Sequence, residues 1–136
     1  MGLFGKKKIE RPKNPLGVAL YDYDRLIKTR FKKIIAYIKA EKPLKTEKVE
    51  KVLDRSIPKM EDILEHISKE NLKIDYRSDK IRYKIIDMVN DIIKFFKEAI
   101  EYKFDYEKVD TGMLERVLEK REQIKKDMKE IESDYL

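Results

Sequence analysis

Residues 78–104, SDKIRYKIIDMVNDIIKFFKEAIEYKF, decide how this chain folds. Ile81, Ile85, Val89, Ile92, Phe96 and Ala99 recur at intervals of three and four, the period of one helix face. Ile86, Ile93 and Ile100 flank that line on one side, and Met88, Phe95 and Tyr102 on the other. At ~100° per residue the apolar arc covers roughly half the circumference, wider than the stripe of an ordinary surface helix. Such a helix either lies deepest in a bundle or also serves a subunit interface, so a homodimer through it is one expectation. Ser78 reads as its N-cap.

Three further helices follow on either side. The first is expected over 18–42, with Leu20, Tyr23, Ile27, Phe31, Ile34 and Ile38 on one stripe. Pro43 stops it, and Lys39 and Lys42 suit its negative end. The second follows Thr46 as N-cap and carries Val49, Leu53, Ile57, Met60, Leu64 and Ile67. Pro58 lies inside it, where proline removes a backbone bond and crowds the preceding turn. Because the stripe keeps its phase across Pro58, one bent helix is expected rather than two. The fourth begins after Asp110 or Thr111 and repeats Leu114, Val117, Arg121, Ile124, Met128, Ile131 and Tyr135, a narrow seam of heptad type. Arg121 either takes a carboxylate partner there or packs its stem and carries its head to the edge.

Short links make successive helices antiparallel neighbours. The expected fold class is all-α: an antiparallel up-down-up-down four-helix bundle over 18–136, with an irregular basic N-terminal arm at 1–17. Three of the four glycines and two of the four prolines fall in those 17 residues, which marks them as an arm. A chain of 136 residues supports one domain and one core. No apolar run exceeds the five residues of IIAYI, 34–38, so no bilayer span is expected. Without cysteine there is no disulfide, thiolate metal site or cysteine nucleophile, and the expected location is the cytoplasm. The 25 Lys, 15 Glu and 17 Ile against a single Gln match the hyperthermophile pattern, so part of the 44% charged content reflects growth temperature.

Catalytic chemistry finds no foothold. There is no glycine-rich phosphate loop, no GxSxG elbow and no cofactor motif. A di-iron bundle needs two Glu-x-x-His pairs, and the lone histidine, His66, has Ile63 three places before it. Asp62 and His66, four apart on one helix, are the remaining metal candidates, with an exposed histidine as the alternative. Asp87, Asp91 and Glu98 share a mixed-charge face with Lys80, Lys84 and Lys94, which reads as solvated surface.

Charge is the functional clue. Residues 1–42 hold twelve Lys/Arg and four Asp/Glu, whereas 43–136 hold 21 and 23. All of the net +6 therefore comes from the first third. Arg25, Lys28, Arg30, Lys32, Lys33 and Lys39 would form a basic ridge on the first helix, and a focused patch attracts anionic surfaces more than scattered charge does. Ahead of it, Leu3 and Phe4 precede Lys6, Lys7, Lys8, Arg11 and Lys13. Phosphate contacts do not require Leu3 and Phe4, so they tilt the reading toward a membrane or protein partner. Alternatively, Leu3, Phe4 and Ile9 fold back over an end of the bundle. The start MGLFGKKK resembles the membrane-inserting N-terminal tips of some ESCRT-III proteins, a likeness of about eight residues, which implies peripheral attachment to a membrane. The first helix is much shorter than that family's long first hairpin. The expectation is a non-enzymatic helical interaction module whose arm touches an anionic membrane surface or a protein partner. A nonspecific nucleic-acid-binding bundle and a weak metal- or small-ligand-binding bundle are the alternatives.

Overall fold

The computed structural model describes residues 14–69, 74 and 76–134. Leu3, Phe4, Lys6, Lys7, Lys8, Arg11 and Lys13 of the arm, and Tyr135, lie outside them. The elements are α1 (Pro15–Leu26), a π-helical segment (Ile27–Phe31), α2 (Lys32–Lys39), α3 (Thr46–Ile67), α4 (Tyr76–Glu101) and α5 (Thr111–Asp134). Backbone angles stay helical from Leu26 through Lys32, so α1, the π segment and α2 make one rod. The chain is thus all-α with four helical rods, and no strand occurs among the described residues.

The first rod begins at Pro15, inside the stretch expected to be arm. Asn14 takes an extended conformation and its side chain accepts a hydrogen bond from the Leu16 N–H at 2.9 Å. Proline at the first helical position loses nothing, because that N–H has no intrahelical partner anyway. Leu16 is fully buried as a result.

Midway, the rod departs from α geometry. Five steps at 100° would leave Phe31 ~140° around the axis from Leu26. An i→i+5 turn realigns them, so Leu26 and Phe31 both enter the core while Ile27 is only half-buried. The Thr29 hydroxyl donates to the Arg25 carbonyl at 2.7 Å, a back-bond typical of bent or widened turns. Deleting Lys28 should restore α spacing between Leu26 and Phe31 and change stability by less than about 2 kcal/mol in thermal melts. Deleting Lys33 should instead rotate Ile34, Ile35 and Ile38 by ~100° off the core and abolish a cooperative transition. Equal damage from both deletions would show that the π turn is not the register device.

The rod ends without glycine. Glu41 adopts φ 50°, with Lys42 N–H donating to the Tyr37 carbonyl and Glu41 N–H to that of Ile38. The end of α4 repeats this hydrogen-bond pattern at Lys103 and Phe104. Both are Schellman closures with a non-glycine residue in the left-handed region. Tyr106 ties the two ends together, its hydroxyl lying against the carbonyls of Lys42 and Tyr37. α4 consequently stops at Glu101, not near Phe104, and the last link lengthens to 102–110.

α3 runs through Pro58 as one helix. Thr46 is its first residue and Lys45 holds the cap position, without a side-chain cap bond. α4 starts two residues before Ser78, which is buried in the first turn instead of capping it. α5 begins where expected, with the Asp110 carboxylate accepting from the Met113 N–H. α4 packs on α3 and α5 and touches α1, which also packs on α3. Ile81, Ile85, Val89, Ile92, Phe96 and Ala99 are all buried, as are Met88, Ile93 and Phe95. Most of the wide apolar arc is therefore covered inside the chain, with Ile86 and Ile100 half-buried and Tyr102 exposed at its edges. Phe96 stacks on Phe31 at 4.9 Å and meets Phe95 edge-on at 5.2 Å.

Ion pairs clip α4 to α5. Lys84 Nζ donates to Asp127 at 2.6 Å, with Gln123 on the other carboxylate oxygen, and Lys120 pairs with Asp91. The Lys84 hydrogen bond holds the Asp127 carboxyl below its ordinary value. A carboxyl whose pKa falls on folding adds stability that is fully present above its unfolded value, about 3.9, and lost as pH drops through the folded value. The melting temperature should therefore decline in that acid range, and Lys84→Met should flatten the decline. An unchanged acid limb in the variant would exclude this pair as its cause.

Candidate functional site

The basic ridge forms as a surface. Arg25, Lys28, Arg30, Lys32, Lys33 and Lys39 are all exposed, on α1, the π segment and α2. None makes an ion pair with another described residue. On α4 and α5, Arg82, Lys84, Arg116, Lys120 and Arg121 pair with aspartates, whereas Lys80, Lys94, Lys97, Lys125 and Lys126 are exposed without an ion pair to a described residue. Over residues 15–39 there are six Lys/Arg against Asp22 and Asp24. The Asp24 carboxylate is held by Arg121 through two hydrogen bonds of 2.7 Å. Net positive charge is thus concentrated on the first rod.

Arg121 finds the carboxylate its core-like position called for, and its head also reaches the edge, since 21% of its side chain is exposed. This bond raises the guanidinium pKa further above its already high value, with burial opposing. Beneath the pair, the buried Tyr23 hydroxyl has no hydrogen-bond partner, nor does Arg121 Nη1. Burial, reinforced by the nearby Asp24 charge, pushes the Tyr23 phenol well above its ordinary pKa, so it stays protonated.

Part of the ridge curls into a cleft. Between the first rod and α3 lies a hollow of about 570 Å³, lined by Asp22, Arg25, Leu26, Thr29, Arg30, Lys59, Asp62, Ile63 and His66. The π turn contributes two of these walls, Thr29 and Arg30. Widened turns of this kind recur at functional sites. Helical spacing puts Lys59, Asp62, Ile63 and His66 on one face of α3, opposite Asp22, Arg25 and Leu26 of α1. Asp62 and His66, the metal candidates, thus share the cleft with three cations. Among the described residues no three His, Cys, Asp or Glu side chains converge as metal ligands. Asp91, assigned to a solvated face with Asp87 and Glu98, is half-buried because Lys120 of α5 reaches across to it.

Lys59 and the cleft were not legible as a functional group in the sequence. The nearest signal was the i, i+3, i+4, i+7 run Lys59, Asp62, Ile63, His66, but its partner face lies more than 28 positions away from most of it. No protein-family model matches the chain, and no curated protein or solved structure is similar to it. No described helix is long and apolar enough to cross a membrane.

Proposed function

We propose that this protein is a cytoplasmic, non-enzymatic helical interaction module that attaches to an anionic membrane surface through its first third. The observation that carries this reading is the charge balance of the first rod. Its six cations are all exposed and make no ion pair with a described residue, against two aspartates, whereas 46–67, 76–101 and 111–134 carry nearly balanced or net negative charge. Each Lys or Arg near an anionic bilayer contributes about 1 kcal/mol, so the ridge and the arm together supply a reversible tether. Leu3 and Phe4 would add burial in the interface.

The architecture assumed is the antiparallel up-down-up-down bundle. Its support is the ion-pair register: going from Lys84 to Asp91 along α4, the partner on α5 moves back from Asp127 to Lys120, as antiparallel helices require. In the cleft, Asp22 lies toward His66 and Arg30 toward Lys59, which suits antiparallel packing of α1 on α3. Pairing of two copies through α4 would draw on Tyr83 and Tyr102, 60% and 42% exposed, with the half-buried Ile86 and Ile100 beside them.

Co-sedimentation with phosphatidylserine vesicles at moderate salt, with and without residues 1–13, tests the reading. The full chain should pellet with anionic but not with phosphatidylcholine vesicles, and the truncated chain should pellet less. Failure to pellet with either vesicle, together with a salt-sensitive gel shift of duplex DNA at about 50 mM salt, would move the surface to nucleic acid.

A further inference from the structure

The cleft between α1 and α3 does not end at His66. A second hollow of about 320 Å³ is lined by Pro15, Val18, Ala19, Ile67 and Lys69, and it shares Asp22, Ile63 and His66 with the first. The two are contiguous and chemically graded. Arg30 and Lys59 line only the first hollow, and both are exposed without an ion pair to a described residue. Pro15, Val18, Ala19 and Ile67 line only the second, together with one exposed cation, Lys69, just past the end of α3. Asp62 lies between these ends, because on α3 it is three residues from Lys59 and four from His66. Asp22 marks the junction.

We propose that this graded hollow binds a single-chain amphiphile with a phosphate headgroup. The phosphate lies among Arg25, Arg30 and Lys59. Two guanidinium forks and an ammonium match a dianion with three acceptor oxygens better than they match a carboxylate. A hydroxyl between head and chain donates to Asp62, whose carboxylate would repel a second anionic group at that depth. The chain itself runs over Pro15, Val18, Ala19 and Ile67. This deepens the surface-attachment reading by naming the headgroup that the same face selects, and it rests on that reading for the sign of the ligand.

The chain has one histidine, so the Hε1 proton resonance of His66 reports on this cleft without labelling. It should be followed at fixed pH while titrating glycerol 3-phosphate and a short-chain lysophosphatidic acid below its micelle concentration, with the same-chain lysophosphatidylcholine as control. The resonance should shift saturably with both phosphate monoesters and about tenfold more tightly with the chain attached, since two buried methylenes already suffice for that factor. Lysophosphatidylcholine should have little effect. Arg30→Gln combined with Lys59→Gln should weaken binding by about tenfold or more, the scale of lost charge-assisted bonds. Both residues are exposed, and circular dichroism checks that the variant remains helical. Absence of a saturable shift, or an equal shift in the double variant, would overturn the inference. Equal affinity for glycerol 3-phosphate and the lipid would assign the cleft to soluble phosphate esters and overturn the lipid source. Vesicle pelleting of the same samples separates the two proposals. Pelleting without a His66 response removes the cleft and leaves surface attachment, and a response without pelleting does the reverse.

Discussion

Phe96→Ala is expected to destabilise the protein by about 3–5 kcal/mol, the cost of truncating a fully buried aromatic ring. Phe96 is 1% exposed and lies at the centre of an aromatic set, stacked on Phe31 and edge-on to Phe95. Its removal forfeits the transfer free energy of the ring and leaves a cavity between α4 and the first rod. Aromatic pairing adds about 0.5–1.5 kcal/mol per pair beyond burial. Phe31 is also the residue that the π turn returns to the core, so the stacked pair is what rewards the irregular turn. Urea unfolding checks this: the midpoint should fall with little change in slope. Phe96→Leu should recover part of the loss, because most of the volume is restored. A loss below about 1 kcal/mol for Phe96→Ala would mean that the rods collapse freely into the space, and the stacked pair would not anchor the first rod.

The second large effect is on binding. Replacing Lys28, Lys32, Lys33 and Lys39 together by Gln should weaken binding to phosphatidylserine vesicles by up to about a thousandfold, from ~1 kcal/mol per cation. All four are exposed and free of ion pairs with described residues, and Gln is nearly as good a helix former as Lys. Stability should therefore hold, each change staying within about 0.5 kcal/mol. The control is to replace Lys45, Lys48 and Lys51, exposed cations at the start of α3. Residues 46–67 carry four Lys/Arg against six Asp/Glu, so this set does not belong to a net positive face. It should cost far less binding. Equal losses from the two sets would mean that attraction follows total charge rather than the face of the first rod. Raising ionic strength should erase the difference, because exposed charges are screened over about 8–10 Å at physiological salt.

Much of the fold could be read along the chain. Spacing by three and four picked out most of each buried face, and each of the six line residues of α4 is in the core. Ile27 and Leu64, however, are only half-buried, while their neighbours Leu26 and Ile63 are buried. Pro58 was rightly read as lying within one helix, because the apolar phase continues across it. The position of Arg121 left open a carboxylate partner or a head carried to the edge, and it could not name the carboxylate: Asp24 is 97 residues away in sequence. The start of the first rod was misplaced by three residues, because Pro15 and Gly17 read as loop punctuation. Asn14 and Pro15 are in fact a cap followed by a first-turn proline. Ser78 looked like a cap from the sequence and is a buried first-turn residue.

The amino-acid order alone determined that the chain is helical, the general face that each helix buries, and that positive charge gathers in its first third. These follow from local periodicity and composition, which need no knowledge of neighbours. Tertiary packing decided three things. It selected Leu26 over Ile27 for the core, because adjacent apolar residues leave the phase ambiguous and only the opposing face, with Phe96 against Phe31, resolves it. It paired Asp24 with Arg121. And it brought Arg25 and Arg30 of the first rod opposite Lys59 and His66 of α3, since the register between two rods is set by how their side chains interlock and not by either rod's own sequence pattern.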